Sequence, residues 1–147
     1  MTVPFDPLEI QKDVYEILRS DDDLRSYTSS IKEGDYELKS IHGIDVWVKS
    51  GATVESNESK VLFGSTYETP VEINLLCRYR TRDNHSEDMA KAVNVISNLL
   101  HNNHKPSSTN GYKQPIEISD SFLGQNDTPE AFIYTITITY ETLVIST

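Results

Sequence analysis

The sequence predicts an α+β fold in which two main helices pack on one face of a mainly antiparallel sheet of four or five strands. Two segments, residues 7–19 and 84–100, carry apolar side chains at helical spacing. Two others, residues 67–80 and 131–144, alternate apolar and polar side chains as strands do. The 147 residues match the usual size of one domain, so we expect a single domain over residues 1–147.

Composition and charge narrow the classes of function. Hydrophobic residues make up 37% and charged residues 24%, which is globular rather than disordered composition. The net charge is −10, and such an acidic chain is a poor nucleic-acid binder because phosphate contacts need Lys and Arg. No apolar run is long enough to predict a signal peptide or a membrane span. With Cys77 as its one cysteine, the chain is expected in the reducing cytoplasm, with that thiol buried.

The helices are predicted from caps and apolar stripes. Asp6, Pro7 and Glu9 are typical of a helix start, and the stripe that follows is Ile10, Val14, Ile17 and Leu18. Three aspartates, residues 21–23, predict the start of a short second helix whose inward side would be Leu24, Tyr27 and Ile31. A capping box of Asn84 and Glu87, or a cap at Ser86, begins the main helix at residues 84–100.

Strands account for most of the remaining chain. Residues 44–49 alternate and predict a strand, whereas residues 51–65 form a polar arm that is a long loop or a hairpin returning through residues 61–64. In the strand at 67–80, residues 71, 73, 75, 77 and 79 share the apolar face. Residues 116–119 predict a short strand, and a turn region follows at 124–129. The last strand should bury its even-numbered face, residues 132–140, and present Thr135, Thr137, Thr139 and Glu141 on the other.

The search for chemistry finds no established motif. There is no nucleophile elbow, phosphate loop, dinucleotide fingerprint or zinc motif, so no catalytic residue, cofactor or metal is predicted and we expect a protein that is not an enzyme. His101 and His104 lie three residues apart, but a metal site needs a third ligand, and a histidine at a helix C-terminus already suits the dipole. The basic cluster of Arg78, Arg80 and Arg82 is either a solvated strand end or a contact to an acidic neighbour.

The order of elements resembles a known family. The chain combines an N-terminal amphipathic helix, a short step at residues 22–27, a long arm, a strand reading Ile-Asn-Leu-Leu-Cys-Arg-Tyr at 73–79, a helix from Glu87, and a final threonine-rich strand at 132–141. This layout, over nearly the whole chain, is similar to the tail terminator (tail completion) proteins of long-tailed bacterial and archaeal viruses. The resemblance is one of layout, because the family shares no short invariant motif.

The resemblance implies a structural virion protein assembled in the host cytoplasm. Its subunits would form a homo-oligomeric, six-membered ring that caps the tail tube and meets the head connector or stopper protein, with a lumen that DNA crosses without specific binding. Acidic groups on a channel wall would let DNA slide. Contact positions are expected in the arm, the basic cluster and the threonine face: Gly51, Val54, Glu55, Glu58, Lys60, Arg78, Arg80, Arg82, Thr135, Thr137 and Thr139.

Several alternatives stay open at this level. Another neck protein, such as a head-side stopper, is one, although stoppers are more purely β than a chain with a helix at 84–100. A tail-tube subunit is another, and it would polymerise alone into long tubes. A small cytoplasmic binding module, or a metal-dependent enzyme using His101 and His104, belongs to a different class, and metal analysis would discriminate it.

Overall fold

A computed structural model describes residues 7–37, 43–55, 64–78, 82–102, 112–125 and 131–145. The helices are α1 (Pro7–Arg19), α2 (Asp22–Tyr27) and α3 (Arg82–Asn102). The strands are β1 (Ser30–Glu33), β2 (Asp45–Ser50), β3 (Val54–Glu55), β4 (Gly64–Arg78), β5 (Tyr112–Gln125) and β6 (Ala131–Ile145).

The strands of the described residues form one mixed sheet in the order β1-β2-β4-β6-β5, with the two-residue β3 beside β4. Only the β1–β2 pair is parallel, and the other pairs are antiparallel. β4 and β6 form the centre and stay in register over 15 residue pairs, from Gly64 opposite Ile145 to Arg78 opposite Ala131. The predicted α+β class with a mainly antiparallel sheet is therefore confirmed.

Helix α1 begins at Pro7, whose fixed φ suits the first helical position. Three residues of its predicted stripe, Ile10, Val14 and Leu18, are fully buried, and Ile17 packs at the edge of the same core. The predicted cap Asp6 lies outside the described residues. Burial of each of these three side chains stabilises the folded state by roughly 1.5–3 kcal/mol, and this holds α1 against the sheet.

Helix α2 is shorter than predicted. The Asp21 carboxylate caps it by accepting a hydrogen bond from the Leu24 amide at 2.8 Å, and Leu24 is buried as expected. The prediction that Ile31 continues the helix is wrong, because the helix ends at Tyr27 and Ile31 lies in β1 opposite Val46. A four-residue strand has too short an alternation to be recognised in the sequence.

Helix α3 begins at Arg82, two residues before the predicted cap, so Asn84 and Ser86 lie within its first turns. Its inward side carries four residues buried to at least 94%: Met89, Ala92, Ile96 and Leu100. This is the stripe that the sequence predicts. Together with α1 it covers one face of the sheet, which we call the helix face, and no described helix is long and apolar enough to cross a membrane.

The helix face holds the core. Alternate residues of β4 from Val71 to Cys77 point into it, as do Ile136, Ile138 and Tyr140 of β6. The predicted faces of both strands are confirmed over these residues, and the Cys77 thiol is buried as predicted. Phe132 lies in β6, but its side chain falls outside the described set, and residue 79 lies outside the described residues.

The edge strand β5 is longer than the predicted residues 116–119. It spans 14 residues and includes Gly124 and Gln125, which were expected in a turn. Its pairing with β6 shifts register between Pro115 and Glu117 and again between Phe122 and Gly124. Such bulges disrupt the alternation that identifies strands, which is why the sequence pattern covers only part of β5.

Candidate subunit interface

The second face of the sheet, which we call the outer face, lies opposite the helix face. It carries the residues of β2, β4 and β6 that alternate with the core positions: Asp45, Trp47, Lys49, Glu68, Pro70, Glu72, Asn74, Leu76, Ile133, Thr135, Thr137, Thr139 and Glu141. Along the strands this face changes from apolar to acidic, so its two halves can make different contacts.

The apolar half is a small cluster of Trp47, Leu76 and Ile133 that is separate from the main core. All three are at most 8% exposed. The Lys32 ammonium lies 5.2 Å from the centroid of the Trp47 ring, within the range of a cation–π contact. The sequence pattern places Leu76 on the polar face of its strand, but in the tertiary structure this side chain is completely buried.

Two pairs of polar side chains on this face form hydrogen bonds within the subunit. Thr135 donates its hydroxyl proton to Oδ1 of Asn74 across a 2.7 Å distance, and both residues are buried. The hydroxyl of Ser30 donates to Oδ1 of Asp45 at 3.0 Å. Thr135 was predicted as a contact position, but its hydroxyl is engaged inside the subunit, whereas Thr137 and Thr139 are half-buried.

The acidic half lies toward the start of β4. Glu68 and Glu141 are directly opposite each other in the β4–β6 register, and like charges in such a pair repel. Glu72 is exposed and lies opposite Lys49. Lys49 forms an ion pair with Asp35 at 2.5 Å, and this hydrogen bond, with the nearby Glu72 charge, raises the pKa of the Lys49 ammonium. The carboxylates therefore outnumber the cations on this half.

The predicted arm starts from a tightly built base. Between β2 and β3 the chain leaves the ladder for residues 51–53, and the Gly51 amide donates to the Pro70 carbonyl at 2.7 Å. A Cβ at Gly51 would lie 2.9 Å from Cγ of Pro70, closer than real Cβ atoms come. The hydroxyls of Thr53 and Thr69 share a hydrogen bond of 2.7 Å. The backbone at Gly51 approaches Pro70 so closely that position 51 requires glycine.

Helix α1 holds the same base from the other side. The Gln11 side-chain oxygen accepts a hydrogen bond from the Ser50 amide at 2.9 Å, directly before Gly51. Its amide nitrogen donates to the Glu33 carboxylate at 3.4 Å. No sequence pattern indicates this role of Gln11, because nothing about a glutamine on a helix surface identifies a partner 39 residues away.

Buried polar groups also lie on the helix face near the arm base. Tyr140 is fully buried opposite Thr69, and burial together with the Asp13 charge raises the pKa of its phenol well above its ordinary value. The Tyr140 hydroxyl and Oγ1 of Thr142 make no hydrogen bond with the described part of the chain. Tyr140 fits the predicted apolar row, but the polar character of this end of the core was not predicted.

The structure separates the predicted contact residues into two groups. Gly51, Val54 and Glu55 lie at the arm base, and Thr139 is near them because it pairs with Pro70. Arg78 ends β4, ten residues along the strand from the residue paired with Val54, or roughly 34 Å, and Arg82 is the first residue of α3. Glu58, Lys60 and Arg80 lie outside the described residues.

Metal ligands are not clustered in the part of the chain that the structure describes. It contains no group of three or more His, Cys, Asp or Glu side chains able to hold an ion. His101 lies in the last turn of α3, where its position suits the helix dipole, and His104 lies outside the described residues.

Comparison with solved structures identifies a similar fold. A chain from the virion of the native gene transfer agent particle matches with a TM-score of 0.57 and 13% sequence identity, over 93% of this chain and 95% of that one. The fold is shared almost end to end. At that identity the likeness concerns the fold alone.

A second solved structure is less similar. It is a chain of the sheath/tube terminator of an extracellular contractile injection system, in the extended state, with a TM-score of 0.47 and 13% identity. The match covers 95% of this chain but only 56% of that one. No protein-family model and no curated protein sequence matches the chain.

Proposed function

We propose that this protein is a structural virion protein, a tail terminator whose copies form a six-membered ring at the end of the tail tube. The ring stops tube growth, meets the head connector or stopper protein, and leaves a lumen through which DNA passes. The subunits assemble in the host cytoplasm and act in the virion. In this role the protein is not an enzyme and needs no cofactor.

The observation that carries the proposal is the fold shared with a virion chain over 93% of this protein and 95% of that one. A match over both full lengths means that the whole chain, rather than a common substructure, follows the same plan. The layout of residues that resembles tail terminators adds independent support from the sequence.

The arrangement of surfaces agrees with a ring. A closed ring needs two different patches on each subunit, each complementary to the other on the neighbour. In this chain the acidic half of the outer face and the arm base lie toward the start of β4. Arg78 ends β4, and Arg82 begins α3. A subunit with such unlike ends is compatible with head-to-tail contacts.

The acidic half of the outer face is a suitable lumen wall. Glu72 is exposed, Glu68 and Glu141 are half-buried, and the net charge of the chain is −10. Repulsion of phosphate by these carboxylates would shorten the time that DNA spends on the wall. The face would guide DNA rather than bind it, since binding needs cationic side chains.

Light scattering coupled to size exclusion, with negative-stain imaging, tests the proposal on the purified full chain. We expect a closed ring of about 100 kDa, six times the chain mass of 16.7 kDa. Long tubes at the same concentration would instead indicate a tail-tube subunit. A monomer at every concentration reached, with no binding to added tail tubes, would overturn the proposal.

A further inference from the structure

Strand β1 stops before its neighbour β2 does, so the end of β2 extends past the last β1–β2 pair. That pair joins Glu33 to Val48, and the Gly34 amide then donates to the Val48 carbonyl at 2.8 Å. Alternate residues of a strand direct their N–H and C=O groups to the same side, so Ser50 faces the same edge of β2 as Val48. Its N–H therefore points to where β1 would continue.

The side chain of Gln11 takes the place of the missing strand residue. Its Oε1 accepts the Ser50 N–H at 2.9 Å and also the Ser50 hydroxyl at 3.4 Å. Its Nε2 donates to the Glu33 carboxylate at 3.4 Å. One side chain of α1 therefore joins the end of β1 to the end of β2.

The next residue of the arm base is held from the opposite side. The Gly51 N–H donates to the Pro70 carbonyl of β4 at 2.7 Å. Two residues later, the Thr53 hydroxyl shares a hydrogen bond of 2.7 Å with the hydroxyl of Thr69. Consecutive amides of the arm base are thus bonded to different elements, the first to a helix and the second to a strand.

Two of the expected contact residues follow directly. Val54, which is 56% exposed, and Glu55 form β3 beside β4. Their positions depend on the path of the chain from Ser50 to β3, because residues 51–53 lie outside the ladder. A path that is already fixed in the free subunit lowers the entropy cost of ordering it on assembly.

We propose that Gln11 is a positioning residue for assembly. It fixes the path of the arm base, so that Val54 and Glu55 meet the neighbouring chain without first being reordered. The proposal rests on the ring proposed above and adds a residue that acts through Ser50 rather than by touching the neighbour.

Hydrogen exchange of the full chain, below the concentration at which it assembles, tests the bond itself. Gln11→Met keeps an unbranched, helix-forming side chain but removes the acceptor. The Ser50 amide should then exchange about fivefold faster, because one net hydrogen bond is lost. Lys12→Met, at the exposed next position of α1, is the matched control and should leave that rate unchanged.

The dilution dependence of assembly tests the positioning role. Light scattering should show the concentration for half-assembly of Gln11→Met rising about tenfold, since roughly one residue of backbone must be ordered again. The thermal unfolding midpoint should fall by no more than about 4 °C, so the subunit stays folded during the measurement. A merely structural role would lower the midpoint and leave the assembly of folded subunits unchanged.

Exchanging the two bonded side chains supplies the rescue. In Gln11→Glu/Glu33→Gln the carboxylate at position 11 can accept from the Ser50 amide, and the amide at position 33 can donate to it. The net charge is unchanged, and both exchange and assembly should return to within about threefold of wild type. Gln11→Glu alone places two carboxylates side by side and should assemble as poorly as Gln11→Met.

The possible results separate the two proposals. An unchanged Ser50 exchange rate in Gln11→Met overturns the inference, and so does normal assembly of that variant when its Ser50 amide exchanges faster. A swapped variant that is not restored also overturns it. In each case wild-type rings leave the proposed function standing. If the wild type stays a monomer and ignores tail tubes, the proposed function fails and the role of Gln11 with it.

Discussion

Thr135 and Asn74 form a buried hydrogen bond of 2.7 Å across the two central strands, on the face of the sheet opposite the helices. Both side chains are at most 6% exposed. The bond lies between the apolar cluster at Leu76 and the acidic half at Glu72. It joins β4 and β6 at the point where the outer face changes from apolar to acidic.

Removing one partner of this bond should destabilise the subunit. Thr135→Val keeps the shape but leaves the Asn74 carbonyl oxygen buried without its donor, which costs about 1–3 kcal/mol. Chemical denaturation measures the loss. Thr137→Val, on the same strand and face but half-buried, should change the free energy of unfolding by less than about 0.5 kcal/mol. Equal effects at both positions would contradict the assignment.

The arm base should not tolerate a side chain at Gly51. Gly51→Ala would place a methyl group 2.9 Å from Cγ of Pro70, and overpacking of this kind costs about 1–3 kcal/mol. Because the obstacle is the proline ring, Gly51→Ala combined with Pro70→Ala should recover part of the loss. Thermal unfolding of the two single variants and the double variant tests this. Additive losses would mean that another contact restricts Gly51.

The buried phenol of Tyr140 predicts a distinctive alkaline behaviour. Its pKa is raised in the folded state, so above the ordinary tyrosine pKa of about 10 the unfolded chain ionises first and stability falls. Below that pH both states are protonated and the contribution is constant. In Tyr140→Phe the decline should be shallower by about 1.4 kcal/mol per pH unit above pH 10. Identical pH profiles would show that the phenol titrates normally.

The apolar cluster of the outer face should contribute to stability independently of the main core. Leu76 is fully buried, and Leu76→Ala should lower the free energy of unfolding by about 2–5 kcal/mol. Val54 is 56% exposed, and Val54→Ala should change it by less than about 0.5 kcal/mol. Equilibrium denaturation separates the two. A small loss at Leu76 would indicate that this cluster is not packed in solution.

The arm should act in assembly rather than in folding. Glu55 is half-buried at its base, and Glu58 follows three residues later in the chain. The variant Glu55→Lys/Glu58→Lys should unfold near the wild-type midpoint but produce fewer particles with normal tail length and DNA delivery. A control with the same charge change away from the arm is Glu37→Lys/Asp88→Lys. Unchanged ring assembly, tail length and delivery in the arm variant would argue against a role for the arm.

Local patterns predicted the main elements of this fold because each has a repeat that burial imposes on the sequence. The stripes of Ile10, Val14 and Leu18 and of Met89, Ala92 and Ile96 follow the helical period, and all six residues are buried. The alternation from Val71 to Cys77 and from Tyr134 to Tyr140 follows the strand period. Four-residue β1 and bulged β5 lack such a repeat, so the sequence pattern predicts Ile31 in a helix and only part of β5 as a strand.

The fold class, the two main helices and the core face of the central strands can be predicted from the sequence, because periodicity is local and burial acts on it directly. The roles of the chain's polar residues become visible only once the strands are assembled into the sheet. Three contacts join residues that are far apart in the chain. Thr135 bonds Asn74 across 61 positions, Gln11 bonds Ser50 across 39, and Gly51 approaches Pro70 across 19. Such contacts depend on strand order and register, which no local pattern encodes.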